Sequence, residues 1–230
     1  MKTLRQNFYL YTAIGCGLFI VLTLIAMLIY PGGNHTDPTQ VGYSFSHNFF
    51  SDLGLRKAPN GQSNLGSGVL FFVALTLAGL ALALFSLRFR QFFLDTRRSQ
   101  IISLIGALLG AGAGISFIGV AFTPADVYLE AHVQFVMWAF RLFPLAVMCF
   151  TLVLFNSAVY PRGYAYVFLV FFGLLIAYYW LLTSGPGYGT PQGMVIQALG
   201  QKIIVYASIL SIFIQSLGAW KQVKSSEVRK

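Results

Sequence analysis

Along this chain the apolar positions are not spaced out; they run together. Crossing the hydrocarbon core of a bilayer takes about 20 apolar residues in helical form. Six stretches meet that length, at residues 8–30, 65–87, 101–122, 131–155, 163–182 and 194–220. Each is apolar all round rather than along one stripe, as bundle and lipid-facing helices are. None shows the roughly ten-residue alternating segments of an outer-membrane barrel. The predicted fold class is all-α: a polytopic membrane protein with a six-helix transmembrane bundle, forming one integral membrane domain over residues 1–230. The first stretch follows Lys2 and Arg5 and could pass for a signal peptide. A cleavable apolar core is shorter, roughly 7–15 residues, and ends in small residues. This one runs on to Ile29-Tyr30-Pro31, so it reads as a retained helix.

Composition agrees with the pattern. Hydrophobic residues make up 57% of the 230 and charged residues only 9%, against about 25% charged in soluble domains. Six acidic side chains cannot solvate a globule of this size. The net charge of +9 would suggest a nucleic-acid partner only if the basic residues formed one soluble patch. Instead they sort by loop. Lys2, Arg5, Arg88, Arg90, Arg97, Arg98, Arg162, Lys221, Lys224, Arg229 and Lys230, eleven of fifteen, fall on one side of the six-span topology. The opposite loops hold Arg56 and Lys57. The positive-inside rule then places both termini in the cytoplasm. The setting this predicts is the inner membrane of a prokaryote, with membrane lipids as partners and no nucleic acid. Tyr30, Tyr43, Tyr128 and Tyr188 mark the outer interface, and Tyr9, Tyr11, Tyr160, Tyr164 and Trp220 the inner one.

The long external loop, residues 31–64, concentrates polar chemistry. Turn formers open it (Pro31-Gly32-Gly33-Asn34) and close it (Pro59-Asn60-Gly61). At 3.6 residues per turn, Ser44, His47, Asn48 and Ser51 share a face, Phe45, Phe49 and Leu53 another, and Gly54 supplies a stop. The expectation is a short amphipathic helix over 44–53 in the outer interface. Its polar stripe either faces water or forms a wall at the bundle mouth. Asn34-His35-Thr36 fits a glycosylation sequon. Span three carries Gly106, Gly110 and Gly114, a small-xxx-small face that lets helices approach closely. The neighbour on that face is either inside the chain or a second copy, which would make a homo-oligomer. Cys16 and Cys149 lie inside spans and read as small apolar fillers.

Two cations lie inside spans. Arg141 sits about 13 Å below His132 and Lys202 about 12 Å below Met194 by helical rise. A cation at mid-bilayer costs at least about 2.5–3.5 kcal/mol, and no Asp or Glu lies within any span. Three things could offset the cost: snorkelling to water, the external acids Asp52, Asp126 or Glu130, or an anionic ligand such as a lipid phosphate. Gln134, Trp138 and Arg141 form one stripe of span four, with Trp138 placed for a cation–π contact. Pro144 should bend that helix. In span six, Gln197 and Gln201 share a face, and Lys202 shares one with Tyr206. These groups line an outward-facing polar pocket, or they only bond helices together.

His47, Asp52 and His132 lie on the same side. Two histidines and a carboxylate make a catalytic zinc set in principle. They lack a spacing signature such as HExxH, so no metal and no cofactor is expected. A nucleophilic reading with Ser51, His47 and Asp52 lacks a nucleophile elbow. The catalytic candidates, if there is chemistry, are His47, Ser51, Asp52 and His132.

Ser46-His47-Asn48-Phe49-Phe50-Ser51-Asp52-Leu53-Gly54 resembles the N-x-[FIL]-[SI]-S-D-L-G signature of an uncharacterised family of bacterial and archaeal six-span proteins. Gly119-Val120-Ala121-Phe122-Thr123-Pro124, with Asp126 and His132, resembles its second signature. More distantly, S-D-x-G followed by Pro59 is similar to the Frag1/DRAM/Sfk1 group, also of six spans and linked to lipid remodelling. The resemblance implies a six-span fold and site positions at Asn48, Ser51, Asp52, Gly54, Asp126 and His132; it implies no reaction. The resulting expectation is a pocket binding a phospholipid-like or amphiphilic anion without chemistry. Its lining would be Asn48, Asp52, Asp126, His132, Gln134, Trp138, Arg141, Gln197, Gln201, Lys202 and Tyr206. A head-group hydrolase or transferase and a small-solute transporter are the rival readings.

Overall fold

A computed structural model describes residues 2–228. Arg229 and Lys230 lie outside the described residues, as do the side chains of Lys2 and Arg5. Six helices are present: α1 (Lys2–Leu28), α2 (Leu65–Phe89), α3 (Arg97–Phe122), α4 (Leu129–Phe155), α5 (Arg162–Ser184) and α6 (Pro191–Val228). All six are long and apolar enough to cross a membrane. Among the described residues there is no β-strand, only isolated bridges at Gly32–Val41 and Lys57–Ser63.

Local chemistry sets the ends. The Thr96 side chain caps α3 by accepting from the Ser99 N–H at 3.1 Å, which satisfies one orphan donor of the first turn. Pro191 is the first residue of α6, where its missing N–H costs nothing. Between α2 and α3 the chain tightens into a 3-10 turn, Arg90–Phe92. α4 runs unbroken through Pro144.

Each helix packs on its chain neighbours, and α6 returns to α1, so the six close into a ring. Two ends follow. At the loop end the α1–α2, α3–α4 and α5–α6 connections meet: Asp126 bonds the backbone of Arg56 and Lys57, and Tyr188 packs on His35 and Phe49. At the terminal end, Phe85, Phe89, Phe93 and Phe168 are fully buried and Tyr160 joins them edge-on to Phe89 at 5.6 Å. Edge-to-face rings fill that end densely.

The glycine face of α3 is used within the chain. A side chain at Gly106 would press on Cys149 of α4, and one at Gly110 on Ser86 of α2. On the facing helix, a Cβ at Gly79 would sit 2.6 Å from the Gly114 carbonyl oxygen. α2, α3 and α4 therefore occupy the surface that the sequence offered to a second copy. Gly79→Ala should lower the thermal unfolding midpoint in detergent, with a cost of about 1–3 kcal/mol for overpacking. Gly173→Ala, with nothing within 4 Å of the added carbon, should leave the midpoint level or slightly raised.

Candidate functional site

The 44–53 segment is not an interfacial helix. It makes a turn over 45–47, extends at Phe49, and closes in a 3-10 turn, Phe50–Gly54. The reason lies in its side chains. Asn48 Oδ1 accepts from the Ser44 N–H at 2.9 Å, and Asn48 Nδ2 donates to the Gly33 carbonyl at 2.8 Å and to Asp52 Oδ2 at 3.0 Å. Asp52 Oδ2 also accepts from the Phe49 N–H at 2.9 Å. Side chains that bond nearby backbone compete with the helix for those groups. Gly33, at φ +80°, holds the left-handed conformation that glycine adopts without strain while its carbonyl accepts from Asn48.

The segment is buried, not splayed. Asn48, Phe50, Asp52 and Leu53 are all at 3% exposure or less. Phe50 stacks on Phe19 at 5.8 Å and meets Tyr206 edge-on. Gly54 lies against Phe71, 2.6 Å from where a Cβ would be, so space demands glycine there. Asn64 Nδ2 and Ser67 Oγ donate to the Leu53 carbonyl, at 3.0 Å each, and fasten the turn to the start of α2.

α6 supplies the floor. The Lys202 ammonium, 1% exposed, donates to the Asn48 carbonyl and to the Ala198 carbonyl. It lies 5.2 Å from the ring centroids of both Tyr43 and Phe45. Gln201 Oε1 accepts from the Phe50 N–H at 2.5 Å and the Ser51 N–H at 3.4 Å. Gln197 instead donates to the Leu181 and Pro186 carbonyls and fixes the α5–α6 turn. Burial pushes the Asp52 carboxyl above its ordinary range. The Asn48 hydrogen bond, the nearby His35, the Phe49 N–H and the Lys202 charge pull it the other way. His35 Nε2 stands 3.9 Å from Asp52 Oδ1. Burial likewise raises the Tyr43 phenol well above its usual value, and Asp52 adds to the effect.

Asn48, Asp52, Gln201, Lys202 and Tyr206 thus come together; the loop engages the polar groups of the first four, and Tyr206 meets it through the Phe50 ring. The other candidates go elsewhere. His132 Nδ1 lies 2.7 Å from the Thr123 carbonyl oxygen, a bond that holds the α3–α4 connection. Asp126 accepts the backbone N–H groups of Arg56 and Lys57 at 3.0–3.1 Å. His47 Nδ1 sits 2.8 Å from the Ser46 hydroxyl. The zinc set of His47, Asp52 and His132 does not converge; among the described residues, no three His, Cys, Asp or Glu side chains do. Gln134, Trp138 and Arg141 are exposed on the outside of the ring. Asn34 is buried at 2%, its amide nitrogen donating to Gln40 and its oxygen accepting from Thr36 and Asp37. An inward amide of that kind does not present a glycosylation acceptor.

The cavity is apolar. It is partly open, with about 930 Å³ of space between atoms when the open side is counted and about 100 Å³ that takes the centre of a water-sized sphere, bounded by α1, α2, α3, α4 and α6, with Phe50, Ser51 and Gln201 at the loop end. Phe19, Phe71, Phe117, Phe140 and Phe143 form much of its wall. Among the few polar groups on it, Gln201 Oε1 accepts from the loop backbone. Of the residues expected to line a polar pocket, Gln201 lines this apolar one.

Sequence reasoning missed His35, Tyr43 and Asn64 as parts of this site. Tyr43 carried a usable signal, since an aromatic residue in the long 31–64 loop is a natural partner for a buried cation.

Residues 13–209 match the DUF998 family, described as a protein of unknown function. The chain belongs to that family. No curated protein and no solved structure matches it.

Lys202→Met should destabilise the fold by about 1–3 kcal/mol, because it leaves the buried Asn48 carbonyl without its donor. Asp52→Asn should cost less, since the amide oxygen still accepts from Phe49. The double variant should lose less than the sum of the two, measured by thermal unfolding in detergent. The raised Asp52 value also has a sign. The folded state holds that proton more tightly than the unfolded chain, so stability falls as pH rises through a window that opens at the ordinary value of 3.8. Asp52→Asn should flatten that slope.

Proposed function

We propose that this protein binds membrane lipid without chemistry, taking a hydrocarbon chain into the central cavity beneath the folded loop. The observation that carries the reading is the cavity's shape and lining. On α2 it runs from Phe71 to Leu82 and on α6 from Gln201 to Ile212, about 16 Å by helical rise. That is close to half of a hydrocarbon core about 30 Å thick, one leaflet's share. An apolar wall with few polar groups suits an alkyl chain, which gains dispersion contacts there and needs no hydrogen bonds. The aromatic cluster at the terminal end and the loop at the other end bound the space. In this reading both termini are cytoplasmic and the loop faces the outer side of a prokaryotic inner membrane.

One observation favours a second reading. Asp52 Oδ1 faces His35 Nε2, and the His35 side chain is 47% exposed. A buried carboxylate orienting an accessible imidazole is a general-base arrangement, which would suit a hydrolase acting at head groups. Loss of lipid turnover in His35→Gln, with the fold intact, would select it.

The cavity reading is tested with a fatty acid carrying a photoreactive diazirine, added to the purified protein. Cross-links should map to cavity residues such as Phe71, Leu75 and Phe140. Ala78→Phe, which fills the cavity from α2, should lower that labelling several-fold while the unfolding midpoint is kept. Labelling confined to ring-exterior residues, unchanged in Ala78→Phe, overturns the reading.

A further inference from the structure

Arg141 has no counterpart in the loop network. It lies near the middle of α4, about 18 Å along the helix from Leu129 by rise, and faces outward from the ring. Its guanidinium carbon is 5.6 Å from the Trp138 ring centroid. Its Nε donates to the Tyr179 hydroxyl of α5 at 3.4 Å. A guanidinium carries five N–H donors, and among the described residues no other bond is made. No acid lies near its depth on α4, where Glu130 stands in the first turn, eleven residues away. An unmatched cation on a lipid-facing surface is costly, so a partner of negative charge fits this face.

Three occupants have that chemistry. A second copy fails: the acid its α4 carries, Glu130, stands in the first turn, and a symmetric contact through this face would set Arg141 against Arg141. A partner helix with a carboxylate at mid-depth would fit the charge but not the direction. Helical side chains lean toward the N-terminus of their helix, and here that is the loop end. Trp138, half-exposed, covers the guanidinium from that side. Tyr179 is near the loop end of α5, followed by the exposed Thr183 and Ser184. The polar path from Arg141 therefore rises along the α4–α5 groove toward the head-group layer. The guanidinium fork matches phosphate oxygens bidentately.

We propose that the α4–α5 face centred on Arg141 binds the phosphate of an anionic phospholipid from the leaflet on the loop side. Trp138 shields the guanidinium and Tyr179 holds its Nε edge, which leaves the remaining donors to the phosphate. The site lies outside the ring and does not depend on the cavity reading.

Native mass spectrometry of the full chain, titrated with phosphatidylglycerol or phosphatidylcholine, tests this. Wild type should retain phosphatidylglycerol preferentially. Arg141→Leu, which is compatible with lipid surroundings and whose folding is checked by its unfolding midpoint, should weaken that binding about tenfold, the scale of one lost charge-assisted fork. Arg141→Lys should fall between, since it keeps the charge and loses the fork. Ala78→Phe should leave phosphatidylglycerol binding unchanged, which separates this site from the cavity. Equal binding by wild type and Arg141→Leu overturns the proposal. So does a photoreactive residue at Gln134 that, in native membranes, cross-links to a membrane protein rather than to lipid.

Discussion

The rest of the structure depends on a single buried ammonium. Lys202 is buried on α6 where water cannot solvate it, and no ion pair with an acid meets it among the described residues. The solution is to bring the loop to the cation. The Asn48 carbonyl accepts from it, Tyr43 and Phe45 present their ring faces, and Asp52 lies close enough to feel its charge. Apart from the Ala198 carbonyl of α6 itself, these partners come from the 31–64 segment. Satisfying one cation therefore fixes the path of a long loop, and that path becomes the lid of the bundle.

The cavity follows from that lid and from a division of labour among the helices. α2, α3 and α4 pack closely through Gly79, Gly106, Gly110 and Gly114, while α2 and α6 barely touch. The ring is tight on one side and held apart on the other, with aromatic rings filling its terminal end. What remains between α2 and α6 is an apolar chamber closed above by Phe50. The same arrangement turns α4 into a two-faced helix: Phe140 and Phe143 look into the chamber, and Trp138 and Arg141 look out.

The spans were legible because each is a run of apolar residues long enough for a bilayer, and every one appears as a helix. Lys202 was legible as an anomaly for the same reason. The site was only partly legible. Asn48 and Asp52 stood out by motif, Gln201 by the face it shares with Gln197 and Tyr206 by the face it shares with Lys202, and all four meet. The amphipathic pattern at 44–53 misled, because Asn48 and Asp52 bond backbone and each other, and those local bonds override a 3.6-residue period. His132 and Asp126 shared the polar end but face backbone groups, His132 that of Thr123 in its own connection and Asp126 that of Arg56 and Lys57 in the α1–α2 connection, a distinction no spacing encodes. Arg141 read as a pocket residue because depth is visible in a sequence and direction is not: the stripe with Gln134 and Trp138 is real and exposed on the outside of the ring.

The central claim is that the loop is folded into the bundle and held there by Lys202. Cysteine accessibility in open membrane fragments tests it most directly, in a background where Cys16 and Cys149 are replaced by alanine. Val41→Cys, at a position 93% exposed, should react fully with a polar maleimide. Leu53→Cys, at a position with no exposure, should be protected, and should become reactive when Lys202→Met is added. Equal labelling at the two positions with Lys202 intact would contradict the account, since it would place the loop in water.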